Sequence, residues 1–233
     1  MSPQTPLPIG PRVDVAPAKP PNRIVMEGVY VTLAPLDPQA HGEALWEATS
    51  GPENEALWLY LFDGPFAQRA AFDANLQRKA ASNDPLFFTI LDRQSARPMG
   101  YASYMRIEPA HRVIEVGSIL YAPALQRTPA ATETMYLMAR HVFEDLGYRR
   151  YEWKCNALNA PSRRAALRLG FRFEGVFRQH MIVKGRNRDT AWYSMIDSEW
   201  PARKQAFEQW LAPSNFDAAG AQKCSLSDLM QLI

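Results

Sequence analysis

Apolar and polar positions alternate with a period of two where Val29, Val31 and Leu33 interleave with Tyr30 and Thr32. This predicts a short strand that Pro35 and Pro38 terminate. Asp37 is placed to cap a helix reaching about Ser50, and a second helix is expected over 65–81 with Phe66, Phe72 and Leu76 turned inward. From Leu86 the period returns to two, predicting strands over 87–91, 98–107 and 113–120 joined by short polar turns, as in an antiparallel meander. After Pro123 a helix is expected through Leu146, its inner face formed by Met135, Met138, Ala139, Val142, Phe143 and Leu146 and its end set by Gly147. The same joint recurs after a strand over 151–155: a helix over 161–169 stops at Gly170 before Phe171. Strand character over 173–183 and 190–196 and an amphipathic helix over 199–211 complete the pattern. This order predicts the α/β (α+β) class, a mixed sheet with helices packed on its faces.

Seven of the 19 prolines lie within the first 21 residues, so residues 1–25 read as an extended arm. The folded domain is expected over 26–212, with residues 213–233 as a C-terminal tail. Apolar residues make up 47% of the 233, ample for a sizeable core, and a net charge of +2 announces neither a nucleic-acid-binding nor a membrane-surface protein. Cys155 and Cys224 lack metal-site spacing, and four scattered histidines form no cluster, so no metal is expected. The N-terminus lacks the order of a signal peptide and no apolar run is long enough to span a bilayer, which reads as a cytoplasmic protein.

Charge becomes informative locally. Between Arg149 and Arg188 eleven Lys or Arg stand against two acidic residues, Glu152 and Glu174. Such a zone attracts an anionic ligand. The aromatic-interleaved motifs of RNA-binding modules are absent, so nucleic acid is not the expected partner.

Two segments carry candidate chemistry. In Glu115–Pro123, followed by Gln126–Glu133, a strand runs into a loop of small residues that opens a helix. First-turn N–H groups left without partners, together with the helix dipole, suit a pyrophosphate; Thr128 as cap and Pro129 at the first helical position are also ordinary helix-start residues. The second segment, Cys155 to Gly175, contains Asn159-Ala160-Pro161-Ser162 opening a helix that ends in Leu169-Gly170-Phe171 and continues through Arg172 to Phe173-Glu174-Gly175.

With these motifs in this order, the stretch from about Val29 to Trp200 resembles the GNAT acetyltransferase superfamily, and within it the Rim-type group that includes ribosomal-protein N-terminal acetyltransferases. The resemblance implies a mixed, mostly antiparallel sheet with helices on both faces and a splayed pair of parallel strands. It implies transfer of an acetyl group from acetyl-CoA, used as acyl-donor substrate, to a primary amine on a protein N-terminus or a small molecule, by direct attack in a ternary complex. The pyrophosphate would meet Arg127, Thr128, Ala130, Ala131 and Thr132, and the pantetheine would run beside Ile119 and Leu120. Asn159 would hold the cofactor arm, and Ser162 would sit near the sulfur and protonate the leaving thiolate. Where the family has glycine in the phosphate loop, this chain has Pro129-Ala130-Ala131, which removes one N–H donor.

An attacking amine must be neutral, so a base is required. Glu115 is the candidate, expected by alternation on the face of its strand shared with Gly117 and Ile119, with an N–H near Ser118 or Ile119 for the oxyanion. Tyr101, Tyr104, Glu108 and His111 are candidates to line the acceptor pocket. A non-catalytic acyl-CoA-binding module is the competing reading, motivated by Pro129, and both a monomer and a homodimer fit the sequence.

Overall fold

The computed structural model describes residues 9–231; the first eight residues of the expected arm and the last two of the expected tail lie outside the described residues. Eight strands form one sheet in the order β1-β2-β3-β4-β5-β6-β8-β7. They are β1 (Met26–Glu27), β2 (Val31–Pro35), β3 (Leu86–Asp92), β4 (Pro98–Glu108), β5 (Val113–Tyr121), β6 (Arg150–Asn156), β7 (Arg172–Val183) and β8 (Arg186–Ile196). Every neighbouring pair is antiparallel except β5 and β6. The helices are α1 (Pro38–Thr49), α2 (Arg69–Ala81), α3 (Pro129–Arg140), α4 (Ala160–Arg168), α5 (Trp200–Leu211) and α6 (Leu226–Gln231). None of them is long and apolar enough to cross a membrane.

Strand alternation divides the core into two layers. Ile114 and Val116 of β5, with Tyr151, Trp153 and Cys155 of β6, turn to one face and pack with Leu137 and Met138 of α3 and Phe207 of α5. On the other face Phe87 and Tyr101 pack with Leu45 of α1, Trp58, and Phe72 and Leu76 of α2. Each fully buried Leu or Phe contributes about 1.5–3 kcal/mol of transfer free energy, so the two clusters clamp the sheet from both sides over β3 to β5.

Several boundaries differ from the sequence pattern. The strand expected from Val29 begins at Val31, and Val29 and Tyr30 bend between β1 and β2, where Glu133 of α3 accepts the amides of Val29 (2.8 Å), Tyr30 (2.6 Å) and Val31 (2.9 Å). The second helix starts at Arg69 rather than at Pro65, after a 3-10 segment over Pro52–Trp58. The helix expected through Leu146 is α3 followed by a π turn over His141–Asp145, and Gly147, at φ 76°, supplies the left-handed conformation that ends it.

Residues 9–25 are extended, yet the later part is tied to the domain. Ala18 N–H donates to Pro109 O (3.0 Å) and Lys19 N–H to Leu146 O (2.9 Å). Arg23 donates to Asn83 Oδ1 and to the carbonyls of Ala80 and Ser82. The C-terminal segment is likewise folded: α6 buries Leu226 and Met230, and Asn215 bonds Trp210 O and both backbone groups of Cys224.

Candidate functional site

The sheet opens between its two parallel strands. β5 and β6 are in register from Val113↔Arg150 to Val116↔Trp153 and then part, β5 continuing against β4 and β6 against β8. A bulge turns β5 away: against β4 it advances from Gly117 to Leu120 while β4 moves only from Ser103 to Tyr101. Ser118, at φ 49°, takes the strained position. Backbone groups of both strands are thereby released from their mutual ladder at the open end.

Helix α3 begins beside that opening. Thr128 caps it, accepting from Ala131 N–H at 3.2 Å and donating to Leu125 O at 2.7 Å, while Pro129 occupies the first helical position. Of the first-turn donors, Ala131 is therefore satisfied within the chain and Pro129 has none, which leaves the amide of Ala130. Arg127 precedes the cap at φ 62°. A cation stands at the same helix end: Arg168 of α4 donates to Thr132 Oγ1 at 3.0 Å and lies over the Trp210 ring at 4.9 Å. It has no carboxylate partner among the described residues, and burial alone pulls its pKa down. An unpaired guanidinium next to helix N–H groups fits a polyanion.

Helix α4 begins at the end of β6. Asn159 is its N-cap, its Oδ1 accepting from Ser162 N–H at 3.1 Å. Ser162 Oγ accepts from Trp153 Nε1 at 3.0 Å, so its own hydrogen remains available to another acceptor. Cys155 lies beside that hydroxyl; burial raises its thiol pKa, and the contact with Ser162 opposes the shift.

Glu115 occupies the opposite face of β5 and is 4% exposed. Its Oε2 is 2.9 Å from Lys154 Nζ and 3.1 Å from Arg106 Nε. Lys154 also pairs with Glu152 at 2.5 Å, and Glu152 pairs with Arg150, which grips Glu174 in bidentate fashion. Burial raises the Glu115 pKa above its ordinary value, against the opposing pull of Lys154 and then of Arg106. A buried carboxyl with a raised pKa is better matched to taking a proton at neutral pH than an exposed one.

The walls on this face come from two distant segments. The β7–β8 hairpin reaches the end of the 3-10 segment and the loop after it: Lys184 Nζ donates to Trp58 O at 2.8 Å, and Arg188 lies over the Phe62 ring at 5.1 Å. Tyr60 Oη donates to Leu158 O at 3.2 Å. Trp192 carries Lys154 over its ring at 4.0 Å. Two other concavities hold none of the residues named above as chemical candidates. An open hollow of about 670 Å³ is lined by Arg178, Gln179, Asn187 and Asp189, and one of about 420 Å³ lies between the end of α1 and the segment from Pro52 to Ala67.

The expected site residues fall into two groups. Ile119, Arg127, Thr128, Ala130, Ala131, Thr132, Asn159 and Ser162 gather around the opening of β5 and β6, and Leu120 lies along it with its side chain buried under the α1–α2 layer. The expected acceptor residues do not gather there. Tyr101 is fully buried against Phe87 beneath α2. Tyr104, three residues on, turns to the other face, where its hydroxyl donates to Met138 O at 2.8 Å. His111 and Glu108 are exposed at the turn that starts β5, the end remote from the splay. The two tyrosines thus serve as core residues. Arg106, Lys154, Arg168 and Arg188 were visible in the sequence only as members of a basic zone or not singled out at all, since their neighbours come from other strands and helices. Among the described residues no group of three or more His, Cys, Asp or Glu is arranged to hold a metal.

The fold is shared with known proteins. A family model for the acetyltransferase (GNAT) domain matches residues 31–172. A crystal structure of a GCN5-related N-acetyltransferase from Brucella melitensis is similar at 53% identity and a TM-score of 0.91, over 93% of this chain and 98% of that one. The uncharacterized N-acetyltransferase YnaD of Bacillus subtilis (strain 168) is 26% identical over 68% of this chain and 89% of its own length. RimL, a ribosomal L7/L12 alpha-N-protein acetyltransferase, shares the fold at 21% identity and a TM-score of 0.64, over 74% of this chain and 94% of its own. With a parallel pair splayed inside an otherwise antiparallel sheet and a matching family model over most of the folded domain, the chain belongs to the GNAT family of N-acetyltransferases.

Proposed function

We propose that the protein transfers an acetyl group from acetyl-CoA to a primary amine, by direct attack in a ternary complex at the open end of β5 and β6. The observation that carries this reading is the placement of two unlike groups on either side of that opening: Ser162 with the starts of α3 and α4 on one face, and Glu115 on the other. Acetyl-CoA would bring the activated acyl group; the chain would bind it, orient it and manage protons.

In this reading the amides near Thr128 and Ala130, together with Arg168, would meet the pyrophosphate, and Asn159 and the released edges of β5 and β6 would hold the pantetheine arm. Pro129 costs one donor, and Arg168 supplies a charge at the same helix end that offsets it. Ser162, its oxygen fixed by Trp153, would protonate the departing thiolate. Glu115 would accept the proton of the incoming ammonium directly or through water, and a backbone N–H near Ser118 or Ile119 would meet the developing oxyanion.

The test combines calorimetry with acetyl-CoA and an acceptor screen of N-terminal peptides and small amines, read by mass spectrometry for a gain of one acetyl group. Saturable, salt-sensitive binding and at least one acetylated amine are expected. Absence of binding at millimolar acetyl-CoA would overturn the reading.

A further inference from the structure

We propose that Arg188 is a carboxylate receptor on the acceptor side of the cleft, so that the acceptor amine belongs to a molecule that also carries a carboxylate. This rests on the acetyl-transfer reading above and adds a substrate class to it.

Arg188 is only 7% exposed, yet among the described residues no carboxylate pairs with it. Three neighbouring cations on this face are neutralised within the chain: Arg106 by Glu115, Lys154 by Glu115 and Glu152, and Arg150 by Glu152 and Glu174, while Lys184 is held by the Trp58 carbonyl. Burying a guanidinium without a counter-charge is costly, and a fold that keeps one has reserved it for something absent from the chain itself.

Its geometry is fixed as well. Nε donates to Thr190 Oγ1 at 3.2 Å, and the guanidinium lies over the Phe62 ring at 5.1 Å. Thr190 is held in turn by His180 Nδ1 at 2.9 Å. With Nε anchored and one face covered, the two terminal nitrogens remain as a planar fork, the arrangement that takes a carboxylate in bidentate fashion.

Position selects the acceptor as the source of that carboxylate. Along β8, Arg188 shares its side of the strand with Thr190 and Trp192, and Trp192 carries Lys154, the partner of Glu115. Arg188 also lies near enough to Glu115 for that carboxylate to act on it electrostatically. The cofactor phosphates are assigned to the other cation, Arg168, at the start of α3. The surroundings are electropositive: burial and then the charges of Arg106, Arg188 and Lys154 hold the His180 pKa below its usual value.

The experiment uses matched acceptors, each α-amino acid against the amine left when its carboxylate is removed and each acidic dipeptide against its amide. Binding to the full chain is read by calorimetry and turnover by thiol release with acetyl-CoA. The carboxylate-bearing member of a pair should be preferred by roughly 10- to 100-fold in kcat/KM, the range of a charge-assisted hydrogen-bonded pair. Arg188→Met should abolish that preference while acetyl-CoA affinity stays unchanged, and Arg188→Lys, which keeps the charge if the Met variant folds poorly, should retain part of it. Equal losses for both members of each pair would overturn the proposal, as would a wild-type protein that binds acetyl-CoA but none of the carboxylate-bearing acceptors. A carboxylate preference residing in the acyl group of the donor would overturn it too. Loss of acetyl-CoA binding by the wild-type protein would instead strike at the acetyl-transfer reading.

Discussion

Lys154 Nζ lies 2.9 Å from Glu115 Oε2, joining two parallel strands at the level just before they separate. Both side chains are almost wholly buried, at 4% and 5% exposure. The pair therefore holds the base candidate at the mouth of the splay while keeping its charge compensated, which leaves burial and ion pairing to set its proton affinity between them.

Replacing Glu115 with Gln removes the proposed proton acceptor and leaves Lys154 and Arg106 facing a neutral amide. The rate of acetyl transfer is expected to fall by about 100- to 10,000-fold, the usual contribution of a positioned base. Because the Glu115 pKa is raised by burial, wild-type activity should rise with pH as that carboxyl ionises. The Gln variant should lose this limb and recover part of its rate at high pH, where more of the amine is already neutral. A pH–rate profile of both proteins checks it.

Trp153 and Ser162 form a second separable pair. Ser162→Ala should slow transfer by about 100-fold or more through loss of a proton donor, and the defect should shrink with a thioester that has a better leaving thiol. Trp153→Phe keeps the hydroxyl and removes only the N–H that fixes it, so its defect should be smaller and show the same leaving-group trend. Comparison of donor thioesters in all three proteins measures both effects.

Glu133 supports the fold rather than the chemistry. Its carboxylate accepts three consecutive amides of the β1–β2 turn, and a side chain at Gly28 would collide with it. Glu133→Ala should destabilise the protein by about 3 kcal/mol or more, since several amides lose their acceptor in a poorly solvated position. Glu133→Gln, which retains one oxygen, should cost less. Urea unfolding of the two variants gives the comparison.

Glu174 has its pKa lowered to about 2, chiefly by the hydrogen bond from Arg150 and further by Ser194. Its folded-state proton affinity lies below the ordinary value of 4.5, so its contribution is complete above that pH and fades as the pH falls toward about 2. The side chain is 40% exposed, and solvent screening keeps the effect modest. Glu174→Gln should therefore lower the melting temperature at pH 7 and narrow the gap to wild type as the pH is lowered through this window.

The period-two and period-3.6 patterns were sufficient to identify β3 to β6, α1 and the starts of α3 and α4, because these elements bury one face and carry strong caps at Asp37, Thr128 and Asn159. The β1–β2 region was not legible: what makes Val29 a turn residue is Glu133, more than 100 positions away. The extended arm hid its attachment for a similar reason, since Arg23 bonds to carbonyls at the end of α2. Among the candidate site residues, Thr128 and Asn159 were legible locally as helix caps, whereas the cofactor roles given to Asn159 and Ser162 came from the family resemblance. Tyr101 and Tyr104 could not be assigned that way, because only the sheet shows that they occupy opposite faces. Arg188 and Lys154 needed the crossover order β6-β8-β7, which brings strands distant in sequence to the side of Glu115.

Amide hydrogen exchange of the full chain with and without acetyl-CoA tests the central claim most directly. Protection is expected at residues 117–121, 127–132 and 154–163, the edges of the splay and the starts of α3 and α4. Little change is expected at the hollow lined by Arg178, Gln179, Asn187 and Asp189. Protection confined to that hollow, or saturating acetyl-CoA that leaves 127–132 and 154–163 unchanged, would contradict the account.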